Sequence, residues 1–280
     1  APRVLSAALA GAALAFAGLL MQGLFRNPLA SPDVLGASSG ASLGAVLCIA
    51  GGWAARSIWP VPACAFLGAL AVVTVVYALA SSHGDTPLAT LLLAGVAVSA
   101  FTGAMTSLVL SLAASHSWEA AREIVLWTMG GLDARQWKHV LAAAPPMAVS
   151  IAAGLVFTRD LNIMLLGEEQ ARTLGVDTRR LKVCVLAAAS LATGAAVAIG
   201  GLIAFVGLIV PHLLRLLLGP DHRRLGPACV FGGAVFLVAM DTAARTIGPT
   251  EIRLGILTGA LGAPFFLFLL ASQRNKALHL

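Results

Sequence analysis

The chain has 280 residues, of which 59% are hydrophobic and only 11% are charged, and its mean hydropathy is +0.92. A soluble core cannot accommodate this composition without large exposed apolar patches, so a polytopic membrane protein is predicted and a soluble globular protein is excluded. The net charge of +6 does not indicate a nucleic-acid partner, because the basic residues are scattered through the loops. The four cysteines fall inside apolar segments without metal-ligand spacing, which predicts buried small side chains.

Helices of about 20 apolar residues can cross a hydrocarbon core of about 30 Å. The chain divides into nine such spans, predicted at 4–24, 34–52, 60–80, 88–112, 138–158, 182–204, 205–218, 225–247 and 254–272. If Ala1 lies outside, eleven lysines and arginines of the loops fall inside and seven outside, which places residues 162–182 in the cytoplasm. Nine crossings from an outer start leave nothing before Ala1 to bring the chain across. We therefore expect a first helix that is missing from this numbering, and ten crossings in all.

The first span begins beside Arg3 and ends at a turn that contains two prolines. Arg3 is typical of an interfacial anchor. Pro28 and Pro32 forbid a continuous helix and leave backbone groups free, which is tolerated at membrane depth only against protein or a water-filled cavity. We therefore predict a constriction of a pathway near Asn27 and Leu29.

Small residues dominate the second and fourth spans. Gly36, Gly40 and Gly44 recur at every fourth residue, a spacing that lets two helices approach closely. The fourth span, at 88–112, carries small residues on more than one face. That pattern fits a helix that lines a path and fits a plain packing helix equally well.

The longest outer segment, 115–139, combines three tryptophans with paired charges, and it predicts an interfacial helix followed by a Gly-Gly turn. Its two histidines, His116 and His139, are expected to be interfacial polar groups. Neither histidine has a second ligand at helical spacing, so no metal or haem ligation is predicted for them.

Residues 162–182 form the longest markedly polar segment of the chain. Apolar residues recur within it at helical spacing, and Gly167 and Gly175 are placed as breaks. The pattern predicts one or two short amphipathic helices that lie in the plane of the membrane surface. Such a segment is either a solvated turn or a surface that a soluble partner binds.

Two later spans carry polar residues at membrane depth. The short span 205–218 is predicted to break at Pro211, and a broken helix is typical of a substrate path in transporters. His212 beside the break is either a ligand or proton carrier, or the partner of a freed carbonyl. Asp241 and Arg245 are four residues apart, which predicts an ion pair on one helix face.

The sequence contains neither the phosphate-binding pattern GxxxxGK[ST] nor the zinc-protease pattern HExxH, so the chain is not predicted to bind ATP or to be an enzyme. Asp241 is the only carboxylate with a buried character, whereas an ion-coupled transporter normally needs intramembrane acids or lysines. The energy source is therefore expected on a partner subunit. An autonomous secondary transporter or channel stays open as the alternative of another class.

Five stretches resemble the FecCD-type permeases, and they lie at 3–44, 90–100, 166–176, 201–223 and 254–270. The longest motifs include LFRNPLASPDVLGASSGASLG and GLIAFVGLIVPHLLRLLLGPDHR. This family supplies the membrane subunits of type II ABC importers, which take up vitamin B12, haem and ferric siderophores. The resemblance implies one all-α transmembrane domain over residues 1–280, in a homodimer of ten-helix subunits in the bacterial inner membrane. It also implies two ATPase subunits, which would bind the ATP and Mg, and a periplasmic binding protein; no cofactor is expected on this chain.

The resemblance further implies roles for individual residues. ATPase-coupling helices fall at about 163–178, and the matching residues are Leu166, Gly167, Glu168, Glu169, Gln170, Ala171, Arg172, Thr173, Leu174 and Gly175. Arg3 and Arg245 match outer arginines that bind glutamates of the binding protein. Asn27 and Leu29 match an inner gate. A second gate at the inner end of the pathway helix is matched by Leu88, Ala89 and Thr90.

The cargo follows only as a chemical class. The favoured function is import of an iron chelate, with haem preferred over a ferric siderophore. A cobalamin importer is the alternative within the same family. Specificity is expected to reside mostly in the binding protein.

Overall fold

The structure is a computed structural model that describes residues 1–81, 87–248 and 250–277, with side chains described up to residue 267. Every regular element in these ranges is helical. The α-helices are α1 (Pro2–Phe25), α2 (Ala37–Ala50), α3 (Pro60–Ala80), α4 (Leu88–His116), α5 (Trp118–Thr128), α6 (Trp137–Val156), α7 (Thr158–Met164), α8 (Glu168–Thr173), α9 (Thr178–Gly200), α10 (Val206–Leu218), α11 (His222–Thr246) and α12 (Leu254–Ala277). Two 3₁₀ turns, Pro32–Leu35 and Trp53–Arg56, flank α2.

Six of the described helices, α1, α3, α4, α6, α9 and α11, are long and apolar enough to cross a membrane. Three shorter apolar helices, α2, α10 and the first part of α12, complete the set. These nine helices are the nine predicted spans, with ends displaced by a few residues. The all-α polytopic prediction is therefore confirmed.

Helices α1 and α9 lie in the interior of the bundle. In the most apolar stretch of 18 residues of each, 78% of the residues are buried, against 17% in α4. Glycines let the backbones meet there. A Cβ atom placed on Gly11 would lie 2.1 Å from the carbonyl oxygen of Gly233, and one on Gly18 would lie 1.9 Å from that of Gly207. α1 therefore packs backbone to backbone against both α11 and α10, as small-residue interfaces in membranes allow.

The predicted glycine face of α2 is confirmed at two of its three positions. A Cβ on Gly40 would lie 2.4 Å from the carbonyl oxygen of Gly68, and one on Gly44 would lie 2.1 Å from that of Cys64, so α2 and α3 are in close contact. Gly36 has a different role. Its φ of 79° ends the preceding 3₁₀ turn and starts α2, so it is a turn residue.

The predicted break at Pro211 is wrong, because α10 runs from Val206 to Leu218 without interruption. Proline lacks an N–H group and leaves the carbonyl four residues earlier without its helical partner. That carbonyl belongs to Gly207, and it accepts a hydrogen bond from Gln22 Nε2 at 3.3 Å. The helix is interrupted earlier, between the end of α9 and Phe205, where Phe205 has a φ of 67°.

Candidate functional site

The polar segment 162–182 folds into α7, α8 and the first turn of α9, so the predicted short helices are present. α8 begins after Gly167, whose φ of 123° strongly favours glycine, and it is followed by Gly175 with a φ of 87°. The two predicted breaks are therefore confirmed. Ala171 is the buried residue of α8, while Leu166 and Leu174, just outside its two ends, are 62% and 60% exposed.

Glu168 holds α8 against α9. Its Oε1 atom accepts hydrogen bonds from Lys182 Nζ at 2.6 Å and from Arg172 Nη2 at 2.9 Å. Arg172 also donates through Nε to the Thr178 hydroxyl at 3.0 Å. One carboxylate on a six-residue helix therefore joins that helix to the start of a membrane span.

The electrostatics of this cluster stabilise the ionised carboxylate. Partial burial of Glu168 opposes ionisation, but the hydrogen bond and positive charge of Lys182 and the charge of Arg172 outweigh it, so the pKa of Glu168 lies below its usual value. Lys182 itself is only 4% exposed. Because a buried ammonium group requires a partner, Lys182 belongs to the packing of this site and not to a solvated surface.

α7 connects the same region to α11 through Asn162. The side-chain amide of Asn162 donates to Asp221 Oδ1 at 2.6 Å, and its oxygen accepts from the backbone N–H of His222 at 2.8 Å. Asp221 also caps α11 by accepting from the N–H of Arg223 at 2.9 Å. The Arg223 N–H and the Asn162 amide hold the pKa of Asp221 below its usual value.

The predicted inner gate lies beside the predicted coupling helices. The turn after α1 is closed by the backbone N–H of Leu29, which donates to Asn27 Oδ1 at 2.9 Å. The neighbouring Arg26 reaches with its Nη1 to 3.7 Å from the Cβ position of Gly167 at the start of α8. The end of α1, the Asn27 turn and α8 therefore share one end of the bundle, called here the Glu168 end.

The second predicted gate forms the first turn of α4. Leu88 packs against the main hydrophobic core, whereas Ala89 and Thr90 are exposed. Most of α4 beyond them is exposed in the isolated chain. α4 is in contact with α2, α3 and α5, and its remaining face is available to line a space or to meet another chain.

Gln22 forms a further polar link inside the bundle at the Glu168 end. It is 2% exposed, donates to the Gly207 carbonyl and accepts from Arg215 Nη2 at 2.9 Å. A glutamine at this depth satisfies both the carbonyl freed by Pro211 and a half-buried guanidinium. The Nδ1 atom of His212 has no hydrogen-bond partner among the described residues, so the alternative in which this histidine binds the freed carbonyl is wrong.

The three histidines considered from the sequence have local contacts. His212 stands edge-on to Phe265 with 5.8 Å between ring centroids. His139 Nδ1 accepts the backbone N–H of Gln136 at 3.0 Å and caps α6. His116 Nδ1 lies 2.8 Å from the Leu112 carbonyl oxygen.

The opposite end of α1, called here the Arg3 end, carries a second ionic cluster. Arg3 donates to Asp241 through Nη2 at 2.7 Å and through Nε at 3.0 Å. The same guanidinium donates through Nη1 to Glu251 Oε2 at 3.1 Å. Arg245 Nη2 lies 3.4 Å from Asp241 Oδ2, so the predicted pair of Asp241 and Arg245 is confirmed.

The structure thus brings the two arginines of the sequence analysis together on one carboxylate that is 1% exposed. Sequence reasoning missed four residues that complete these clusters, namely Gln22, Asn162, Lys182 and Glu251. Asn162 and Lys182 are the first and last residues of the predicted polar segment, so the sequence indicated their region but not their contacts. Glu251 and Gln22 carry no local signal, since their partners lie 248 and 193 residues away along the chain.

Comparison with known proteins places these features in context. The sequence model of the FecCD transport family matches residues 1–272. The cobalamin import system permease protein BtuC of Halobacterium salinarum is 47% identical over 277 residues, which cover 99% of this chain and 73% of that protein. The hemin transport system permease protein HmuU of Yersinia pestis is 43% identical over 283 residues, covering 98% and 82%. A solved metal-chelate type ABC transporter in an inward-facing conformation superposes with a TM-score of 0.89 at 32% identity, covering 97% and 85%.

Proposed function

Since the chain belongs to the FecCD transport family, we propose that it is the permease subunit of a binding-protein-dependent ABC importer in the cytoplasmic membrane. The chain forms the pathway, and ATP with Mg²⁺ binds to separate ATPase subunits. The observation that carries this proposal is α8. It is a short helix with exposed leucines at both ends, and it is joined by an ion pair to a membrane span.

In this proposal the Glu168 end faces the cytoplasm and α8 sits against the ATPase subunit. Exposed leucines beside charged residues suit a partner that combines an apolar cleft with polar edges. Movement of α8 would be passed to α9 through Glu168 and Lys182. The adjoining α7 would pass it to α11 through Asn162 and Asp221.

The pathway is proposed to run along α4, between the two copies of the chain in a homodimer. From Leu88 to Ser115 this helix has no charged residue and is rich in alanine, glycine, serine and threonine. Such a wall offers a bulky cargo few strong binding groups, so the cargo can pass through the pathway without being held in it. The turn at Asn27 and Leu29 and the segment Leu88–Thr90 are proposed as its inner gates.

The proposed cargo is an iron chelate, with haem favoured. A neutral, apolar wall fits a large planar chelate, and a hemin permease at 43% identity supports the assignment. Cobalamin is the second candidate, because the relative at 47% identity is a cobalamin permease. Both cargoes are metal macrocycles, so the same wall accommodates either.

The test is uptake into proteoliposomes that contain this chain, the ATPase encoded beside it and the binding protein of the same gene cluster. Haem and cobalamin are offered separately, with and without ATP. We expect accumulation of one of them that requires both ATP and the binding protein. Uptake without ATP would contradict the proposal and favour a secondary transporter, whereas cobalamin uptake alone would overturn only the haem assignment.

A further inference from the structure

The guanidinium of Arg3 is occupied on both of its edges. One edge donates to the carboxylate of Asp241, through Nε at 3.0 Å and Nη2 at 2.7 Å. The other edge donates to Glu251, through Nη1 at 3.1 Å to Oε2 and through Nη2 to Oε1. Planar two-point pairing of this kind is the strongest arrangement that arginine forms with a carboxylate.

The two carboxylates differ in how firmly they are held. Asp241 is 1% exposed, and removing its partners would leave a buried charge uncompensated. Glu251 is 38% exposed and lies in the connection between α11 and α12. Because a partly exposed ion pair contributes less free energy than a buried one, Glu251 can leave Arg3 at a smaller cost than Asp241 can.

The charges of the cluster cancel. Arg3 and Arg245 carry two positive charges, and Asp241 and Glu251 carry two negative charges. An approaching carboxylate therefore meets a cluster without net charge while Glu251 is in place. It gains the outer edge of Arg3 only by exchanging with Glu251.

We infer that Glu251 is an internal competitor that occupies the docking edge of Arg3, and that an acidic side chain of the substrate-binding protein takes its place on docking. The inference rests on the proposed function, which supplies the partner at this end of the chain. It adds a regulating residue that sets how tightly the partner binds. Asp241 stays in place throughout and keeps Arg3 oriented.

The test is the affinity of the binding protein for the purified chain with its ATPase, measured for Glu251→Gln and Glu251→Ala. Both variants remove the competing charge, and the alanine variant also removes the hydrogen-bond acceptor. Binding is expected to tighten about two- to fivefold in low salt, as suits the loss of one exposed ion pair. The gain should disappear near 1 M salt, where the Debye length falls to about 3 Å. Glu119→Gln is the matched control, since it removes an exposed acid elsewhere and should leave the affinity within experimental error of the parent chain.

A double variant separates this inference from the proposed function. Charge reversal of Arg3 and Arg245 together should weaken docking at least tenfold. If reversal weakens docking but both Glu251 variants bind as the parent chain does or more weakly, the competitor role is overturned and the docking site stands. If neither reversal nor Glu251 substitution changes the affinity, docking at the Arg3 end is itself overturned. If Glu119→Gln tightened binding equally, the overall charge of the chain would explain the effect, and the inference would also be overturned.

Discussion

At the scale of single residues, the chain uses buried ions to fix surface helices. Glu168 and Lys182 illustrate this, because a lysine that is 4% exposed lies under a helix that would otherwise have little to hold it. α8 contains only six residues, and isolated helices of that length are unstable in water. The ion pair therefore stabilises α8, whereas the longer membrane spans are stabilised by their hydrophobic faces.

Lys182→Met tests the contribution of this pair. The variant fills the same volume but leaves Glu168 with one cation fewer in a partly buried site. We expect a loss of about 1–3 kcal/mol of stability, below the cost of breaking a fully buried pair because Glu168 is partly hydrated. The measurement is thermal unfolding in detergent, with Arg179→Met as the control at an exposed position one helical turn away. Equal melting temperatures for the two variants would contradict the prediction.

The depressed pKa of Glu168 predicts a pH dependence. Its stabilising effect is fully present above the pKa of an unfolded glutamate, about 4.3, and is lost as the pH falls through the lower folded pKa. Hydrogen exchange of the α8 amides should therefore lose protection below about pH 4.3, after correction for the intrinsic rate. Glu168→Gln serves as the control and should show low protection without that pH step. A step of the same size in both proteins would assign it to another group.

At the scale of helices, close contact of α1 with its neighbours depends on glycines. Gly18 faces the backbone of Gly207, whereas Gly103 in α4 has no atom within 4 Å of its Cβ position among the described residues. The two positions differ only in what surrounds them, so they form a matched pair.

Gly18→Ala should displace α1 from α10 and lower the free energy of unfolding by about 1–3 kcal/mol, the usual range for overpacking. The backbone of Gly207 cannot move aside as a side chain can. Gly103→Ala should leave the melting temperature unchanged or slightly higher, since alanine favours a helix over glycine. Monodisperse yield and thermal unfolding in detergent report both effects. A wild-type melting temperature for Gly18→Ala would show that the helices do not meet here.

The helices were largely predictable from the sequence, and the clusters only in part. Apolar stretches long enough to cross a bilayer predicted the nine apolar helices, and the positions of Gly167 and Gly175 predicted α8. The predicted break at Pro211 was wrong because the effect of a proline depends on whether a distant group binds the freed carbonyl. Here the side chain of Gln22 donates a hydrogen bond to it. The link from Arg3 to Glu251 was not predictable for a similar reason, since helix packing alone brings these residues together.

At the scale of the whole molecule, α1 joins the two ionic clusters. It spans 24 residues, about 36 Å at 1.5 Å per residue, from Arg3 at one end to the Asn27 turn beside α8 at the other. Its packing against α9, α10 and α11 makes it the common neighbour of the helices that both clusters hold. We therefore expect that a displacement of α8 is passed to the Arg3 end through these tightly packed helices.

We propose that α8 is the surface on which the ATPase acts. The most direct test places a cysteine at Leu174, which is 60% exposed, and attaches a photo-activated crosslinker in the presence of the ATPase encoded beside this chain. Glu251→Cys at the Arg3 end is the control, and the parent chain gives the background from its four native cysteines. We expect a crosslink to the ATPase from position 174 and none from position 251. Absence of a crosslink at 174, or equal crosslinks at both positions, would contradict it.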